Sequence, residues 1–191
     1  MTESKIRIIG VTGMPGSGKS VFADHANNRG YQTVVMGDVV RAKVLEYGYD
    51  PTPDTSRKVM MELREKHGEE AVAHLTCQVI DKLTEEGNNK IIIDGIRSQA
   101  EVKHFRKHLE DNFIIVAIHV DPLIRYDRLK LRGRSDAPKT EKDFAKRDEA
   151  EISLGLGETI AFSNYILCNN RTIDSFEELS LSLLEDLEKV V

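Results

Sequence analysis

The chain has 191 residues, 40% of them hydrophobic and 31% charged, which suits one domain with a full core and excludes a disordered chain. Lys and Arg number 27 against 32 Asp and Glu, and the net charge of −5 argues against a nucleic-acid-coating role. No apolar run approaches the ~20 residues that span a bilayer, and the polar residues 1–5 do not form a signal peptide, so a cytoplasmic protein with no membrane partner is expected.

Residues 6–12 are β-branched and almost continuously apolar, the pattern of a buried parallel strand. A glycine-rich turn then opens a helix over about 18–28, and residues 33–36 read as a second strand. From Gly37 to about Glu86 there is no strand signal. The Pro51-Thr52-Pro53-Asp54 break divides this stretch into helices at about 38–48, 54–66 and 68–86, with Asp54 as the expected N-cap. Strands follow at 90–94, 113–120 and 165–168, and a C-terminal helix at about 175–190. Acids at 177, 178, 185, 186 and 188 of that helix read as a solvated face. Gly155-Leu156-Gly157 reads as a loop, and His104 with His108 as a solvated helix face. Cys77 and Cys168 read as buried, reduced thiols. Strands alternating with helices predict the α/β class, with a parallel sheet covered on both faces. Two stretches interrupt the alternation: the helical segment at about 38–86 and a basic segment after the fourth strand.

Gly13-Met14-Pro15-Gly16-Ser17-Gly18-Lys19-Ser20 matches G-x-x-x-x-G-K-[ST] and sits between a strand and a helix, where the mechanism of that pattern needs it. The glycines let several backbone N–H groups converge on one phosphate, and the helix N-terminus adds positive potential. Lys19 would bridge the terminal phosphates of a nucleotide, and the Ser20 hydroxyl would hold Mg²⁺. Asp94, closing the apolar strand 90–94, is placed to reach the Mg²⁺ shell through water.

Arginines follow the other strands. Arg41 comes after the second strand, in Gly37-Asp38-Val39-Val40-Arg41, and Arg97 after the third, in Asp94-Gly95-Ile96-Arg97. Arg128, Arg132, Arg134 and Arg147 come after the fourth. In a doubly wound sheet these segments share the edge that carries the phosphate loop. Phosphoryl transfer needs that convergence of positive charge and no covalent nucleophile.

With these strings the chain resembles the nucleoside monophosphate kinases, adenylate kinase above all, and as a whole it is similar to an archaeal adenylate-kinase-related P-loop family. The resemblance implies a five-stranded sheet ordered 2-3-1-4-5, a helical acceptor-binding insertion at about 38–86 and a short lid at about 133–147. It implies that Asp38, Arg41 and Arg97 hold the acceptor and that Arg128 stacks on the donor base. Asn169 and Asn170 would contact the donor adenine, partly through backbone, while Arg132, Arg134 and Arg147 would act on the transferring phosphate. Adenylate kinase reads adenine with a Gln four residues after the arginine of its D-G-x-x-R string. Here the string is one residue shorter, Glu101 stands at that place, and Gln99 is off the spacing. The length between Arg41 and Asp94 leaves room for a larger acceptor, such as a coenzyme A precursor.

Three functions remain open at this point. The first is transfer of the terminal phosphoryl group of ATP to a nucleoside monophosphate. The second is transfer to a hydroxyl, as in dephospho-coenzyme A kinase, with Asp38 as general base. The third is a regulator that binds AMP or ATP without turnover. The sequence leaves the oligomeric state open.

Overall fold

The computed structural model describes residues 7–133 and 137–189. Five strands form one sheet: β1 (Arg7–Thr12), β2 (Gln32–Val35), β3 (Lys90–Asp94), β4 (Phe113–His119) and β5 (Tyr165–Cys168). Their order is 2-3-1-4-5 and every pairing is parallel, as expected for the α/β class. The helices are α1 (Lys19–Asn27), α2 (Met36–Glu46), α3 (Pro53–His67), α4 (Ala71–Glu85), α5 (Gln99–Leu109), α6 (Pro122–Arg132), α7 (Glu141–Ser153), α8 (Leu156–Ala161) and α9 (Ile173–Lys189).

The central strands are apolar without alternation because both faces of the sheet are covered. Ile8, Ile91, Ile93, Phe113 and Ile115 join the core beneath α2, α3, α4 and α5. Ile9, Val11, Ile92, Val116 and Ile118 join the opposite core with Phe22 of α1 and with Phe176 and Leu184 of α9. The register sets Ile9 beside both Ile92 and Ile114, which stacks this second core straight across three strands.

The helical segment after β2 shares the sheet's core. Val40, Val44, Val59, Leu63, Cys77 and Ile80 are buried in the cluster that contains Ile91 and Ile93. Its entry into α3 differs from expectation. Thr52 is the N-cap and forms a reciprocal capping box with Thr55. Pro53 takes the first helical position, which moves Asp54 inside the first turn.

Other local expectations also change. Glu188 is half-buried, accepting from Arg29 at 2.6 Å and Lys90 at 2.8 Å, so it ties α9 to the start of β3. Cys77 is buried, but Cys168 is exposed because β5 is an edge strand. Gly155 has a left-handed conformation and opens α8, so Leu156 and Gly157 are helical. His104 is half-buried between the His74 ring at 5.6 Å and the His108 ring at 6.4 Å. Its pKa is pushed down by burial first and by those two rings next. The basic segment turns into α7 at Glu141, so the second half of the expected lid is helical. Arg134, Ser135 and Asp136 lie outside the described residues.

Candidate active site

The phosphate loop leaves β1 at Thr12 and enters α1 at Lys19. Two of its glycines are required by space and by conformation. A Cβ on Gly13 (φ 146°) would fall 2.5 Å from the Ile118 carbonyl oxygen. One on Gly18 (φ 104°) would fall 2.5 Å from Asn169 Nδ2. Thr12 Oγ1 donates to the Ile96 carbonyl at 2.8 Å and fastens the root of the loop to the segment after β3. Within the loop, Ser17 N donates to the Met14 carbonyl at 3.1 Å, and Ser17 Oγ is buried with no hydrogen-bond partner among the described residues. Met14, Pro15 and Gly16 are half-buried, and Ser20 is exposed in the first turn of α1.

Lys19 folds back over the loop and donates from Nζ to the Gly13 carbonyl at 2.7 Å and the Met14 carbonyl at 3.4 Å. The residue as a whole is half-buried. Burial pushes its pKa from the ordinary 10.5 down to about 8. Asp94 and Glu151 pull it back up, while Arg97 and Arg147 push it further down. Asp94 shifts the other way: burial raises its pKa, opposed by Lys19, Arg97 and Arg132, with Asp38 adding to the rise. These mutual influences place Lys19, Asp94, Arg97, Arg132, Arg147, Glu151 and Asp38 in one charged neighbourhood. They come from α1, the end of β3 and the turn after it, α6, α7 and α2, and three of the expected arginines, Arg97, Arg132 and Arg147, act on Lys19 or Asp94.

The expected acceptor residues are engaged with partners of their own. Arg41 donates to Asp38 Oδ1 from Nε at 2.9 Å and also from Nη2. Arg97 Nη1 pairs with Glu151 Oε1 at 3.3 Å, and half of its side chain stays exposed. Glu101 is 2% exposed and closes the capping box of α5. It accepts from Arg97 N at 2.8 Å and Ser98 N at 3.2 Å and pairs with Arg64 of α3 at 3.3 Å. The carboxylate at the position of the adenine-reading Gln is therefore committed to fixing the Arg97 turn.

Of the two residues expected on the donor side, Asn169 is buried, and both its side-chain nitrogen and its oxygen are hydrogen-bonded. Its Nδ2 donates to the Ser17 carbonyl at 2.9 Å, while its Oδ1 and carbonyl accept from Arg128 Nη2 at 3.3 and 3.0 Å. This side chain braces the phosphate loop. Asn170 is exposed, and its Oδ1 accepts from Asp121 N at 2.9 Å.

Sequence reasoning missed Arg125, Asp148 and Glu151. Arg125 is 3% exposed and donates to the Pro15 carbonyl at 3.2 Å. It pairs with both oxygens of Asp148, at 2.9 and 2.5 Å, and lies 5.0 Å from the centre of the Phe144 ring. The available signal was spacing. Phe144, Asp148 and Glu151 stand at i, i+4 and i+7, so the face of α7 that carries its lone phenylalanine carries these acids too.

The Ser20 hydroxyl and the Asp94 carboxylate are hard oxygen donors of the kind Mg²⁺ takes. Asp94 Oδ1 is buried without a hydrogen-bond partner among the described residues, which suits a group waiting to accept from a metal-bound water. No cluster of three or more His, Cys, Asp or Glu able to hold a metal occurs among the described residues. Such a site fits an ion that keeps most of its shell as water and phosphate oxygens.

A family model described as an AAA domain matches residues 9–152. The chain is 41% identical over 181 residues to the UPF0200 protein TK1334 of Thermococcus kodakarensis, covering 94% of this chain and 97% of that one. To the UPF0200 protein PH1008 of Pyrococcus horikoshii it is 38% identical over 185 residues, covering 96% and 95%. Among solved structures, TT1252 from Thermus thermophilus superimposes with a TM-score of 0.66 at 18% identity, over 96% of this chain and 99% of the other. The shikimate kinase from Bacteroides thetaiotaomicron does so with a TM-score of 0.57 at 17% identity, over 94% and 99%. The fold is that of P-loop kinases, and no described helix is long and apolar enough to cross a membrane. With the AAA model matching most of its length and full-length relatives near two-fifths identity, the chain belongs to the UPF0200 family of P-loop proteins.

Proposed function

We propose that the protein is an ATP-dependent nucleotide kinase that passes the terminal phosphoryl group of ATP to a nucleoside monophosphate, an AMP-like acceptor. The observation that carries this reading is the single charged neighbourhood joining Lys19, Asp94, Arg97, Arg132 and Arg147 at the mouth of the phosphate loop. The backbone of residues 13–20 holds the donor phosphates, with Arg128, Asn169 and Asn170 bounding the donor side. Lys19 leaves its loop carbonyls to meet the terminal phosphates. Arg97 and Arg41, with Asp38, receive the acceptor phosphate. An acceptor oxygen attacks the terminal phosphorus, the bond to the bridging oxygen breaks, and a nucleoside diphosphate leaves on each side. The acceptor oxygen is already ionised, so no base is needed. Arg132, Arg134 and Arg147 neutralise charge on the group in flight. Mg²⁺, when bound with ATP at Ser20 and, through water, Asp94, supplies further charge neutralisation. In this reading residues 38–86 form the acceptor-binding part and residues 133–147 a lid.

A hydroxyl acceptor is the second reading. It is favoured by Asp38, a carboxylate held by Arg41 and close enough to Asp94 to raise its pKa. The test is steady-state turnover with Mg²⁺·ATP and a panel of AMP, other nucleoside monophosphates, dephospho-coenzyme A and small sugars. Production of ADP with AMP is the expected result. Turnover confined to hydroxyl acceptors would favour the second reading, and tight binding of ATP and AMP without turnover would leave a nucleotide-binding regulator.

A further inference from the structure

The Glu151 carboxylate stands out among the charged groups around the loop. It lies on α7, outside every string that marks the site in the sequence. Its side chain is 12% exposed, its Oε1 pairs with Arg97 Nη1 at 3.3 Å, and its Oε2 is buried with no hydrogen-bond partner among the described residues. A buried, half-satisfied carboxylate costs stability, so packing alone gives no reason for it. Asp148, one turn earlier on the same face, is locked to Arg125, and Arg125 donates to the phosphate-loop carbonyl of Pro15. One helix therefore reaches the donor loop through Asp148 and the expected acceptor arginine through Glu151.

We propose that Glu151 is the positioning residue for Arg97, holding its guanidinium in register with the phosphate loop through the Asp148–Arg125 link and leaving its outer edge open to the acceptor phosphate. This rests on the kinase reading above. A free arginine side chain must give up rotamer freedom to grip a phosphate; one already held by a carboxylate gives up less. Contact through one nitrogen leaves the rest of the five-donor fork available. The half-exposed state of Arg97 agrees with that. A competitor of the acceptor phosphate would instead occupy the fork bidentately, as Asp148 does on Arg125.

The test is steady-state kinetics with ATP and AMP on wild type, Glu151→Ala, Glu151→Gln, Arg97→Ala and the Arg97→Ala/Glu151→Ala double variant, with melting temperatures for each. Glu151→Ala should raise the KM for AMP ~10-fold, equivalent to one lost charge-assisted contact. The KM for ATP and kcat should stay within about 3-fold, as expected of lost uniform binding. Glu151→Gln keeps an acceptor oxygen and should fall between. In the Arg97→Ala background the Glu151→Ala effect on the AMP KM should shrink to about 2-fold or less, because the residue acts through Arg97. Three results would overturn the proposal: a lower KM for AMP in Glu151→Ala, an equal rise with and without Arg97, or a loss confined to melting temperature. Failure of wild type to turn over any phosphate acceptor would bring down the kinase reading and this inference with it. Normal wild-type turnover with an unchanged Glu151→Ala would bring down this inference alone.

Discussion

The Lys19 ammonium lies against two loop carbonyls in a site dry enough to bring its pKa to about 8. Folding therefore penalises the charged form, and the free protein should gain stability as pH rises from about 8 toward the ordinary 10.5. Nucleotide binding works in the opposite sense. The phosphates favour the ammonium, so the bound pKa is higher and binding above about pH 8 takes up a proton. ATP affinity should be flat below that pH and then fall by up to ~10-fold per pH unit. Titration calorimetry at several pH values, in buffers of different ionisation enthalpy, would read both the affinity and the proton uptake. Lys19→Ala should remove this pH dependence and lower kcat by ~10²–10³. Wild-type turnover in that variant would break the assignment of the loop.

Helix α7 is polar, and none of its residues is fully buried, yet it is fixed at two points. Arg125 is one of them: it joins α6, the phosphate loop and α7. Arg125→Met would leave the largely buried Asp148 without its counter-charge, a type of loss that costs about 3 kcal/mol or more. It would also free the Pro15 carbonyl. Denaturant unfolding should show that loss, and the KM for ATP should rise. Adding Asp148→Asn should recover most of the stability, because the uncompensated charge is gone, but not the affinity for ATP. If the second change also restored ATP binding, the loop contact would not matter. The phenylalanine-acid face of α7 was present in the sequence, but read alone it is indistinguishable from a solvated charged helix.

At the scale of the whole molecule, the proposed function has the helical segment after β2 and the segment around α7 flank the phosphate loop. In the proposed reaction both must close, because water at the terminal phosphate would divert transfer to hydrolysis. The ion pairs of Asp148 and Glu151 fix the second half of α7. Closure is therefore expected in the residues before them. A bisubstrate analogue joining adenosine to a second nucleoside through a polyphosphate should slow amide exchange over residues 130–147 and leave 148–153 nearly unchanged. Unchanged protection throughout, under saturating and tight binding, would sink the closing-lid mechanism.

What the sequence determined by itself was local or periodic. Strand positions followed from continuous β-branched runs, and their parallel arrangement from the strand–helix alternation. The phosphate loop was legible because glycine is required where a Cβ would strike Ile118 or Asn169. The resemblance supplied the strand order, which the fold carries, while the arginine convergence was expected from the segments that follow the strands, and Arg97, Arg132 and Arg147 act on Lys19 or Asp94. The tertiary structure alone decided the polar contacts between distant segments. It turned Asn169 toward the Ser17 carbonyl, buried Glu101 under Arg64, joined Arg125 to Asp148 and set Glu151 on Arg97. It also exposed Cys168 on an edge strand and drew Glu188 in toward Arg29 and Lys90. A charged side chain looks the same in sequence whether it faces water or a partner more than twenty residues away. Apolar burial leaves a repeating mark along the chain, whereas a single ion pair depends on where two separate elements come to rest.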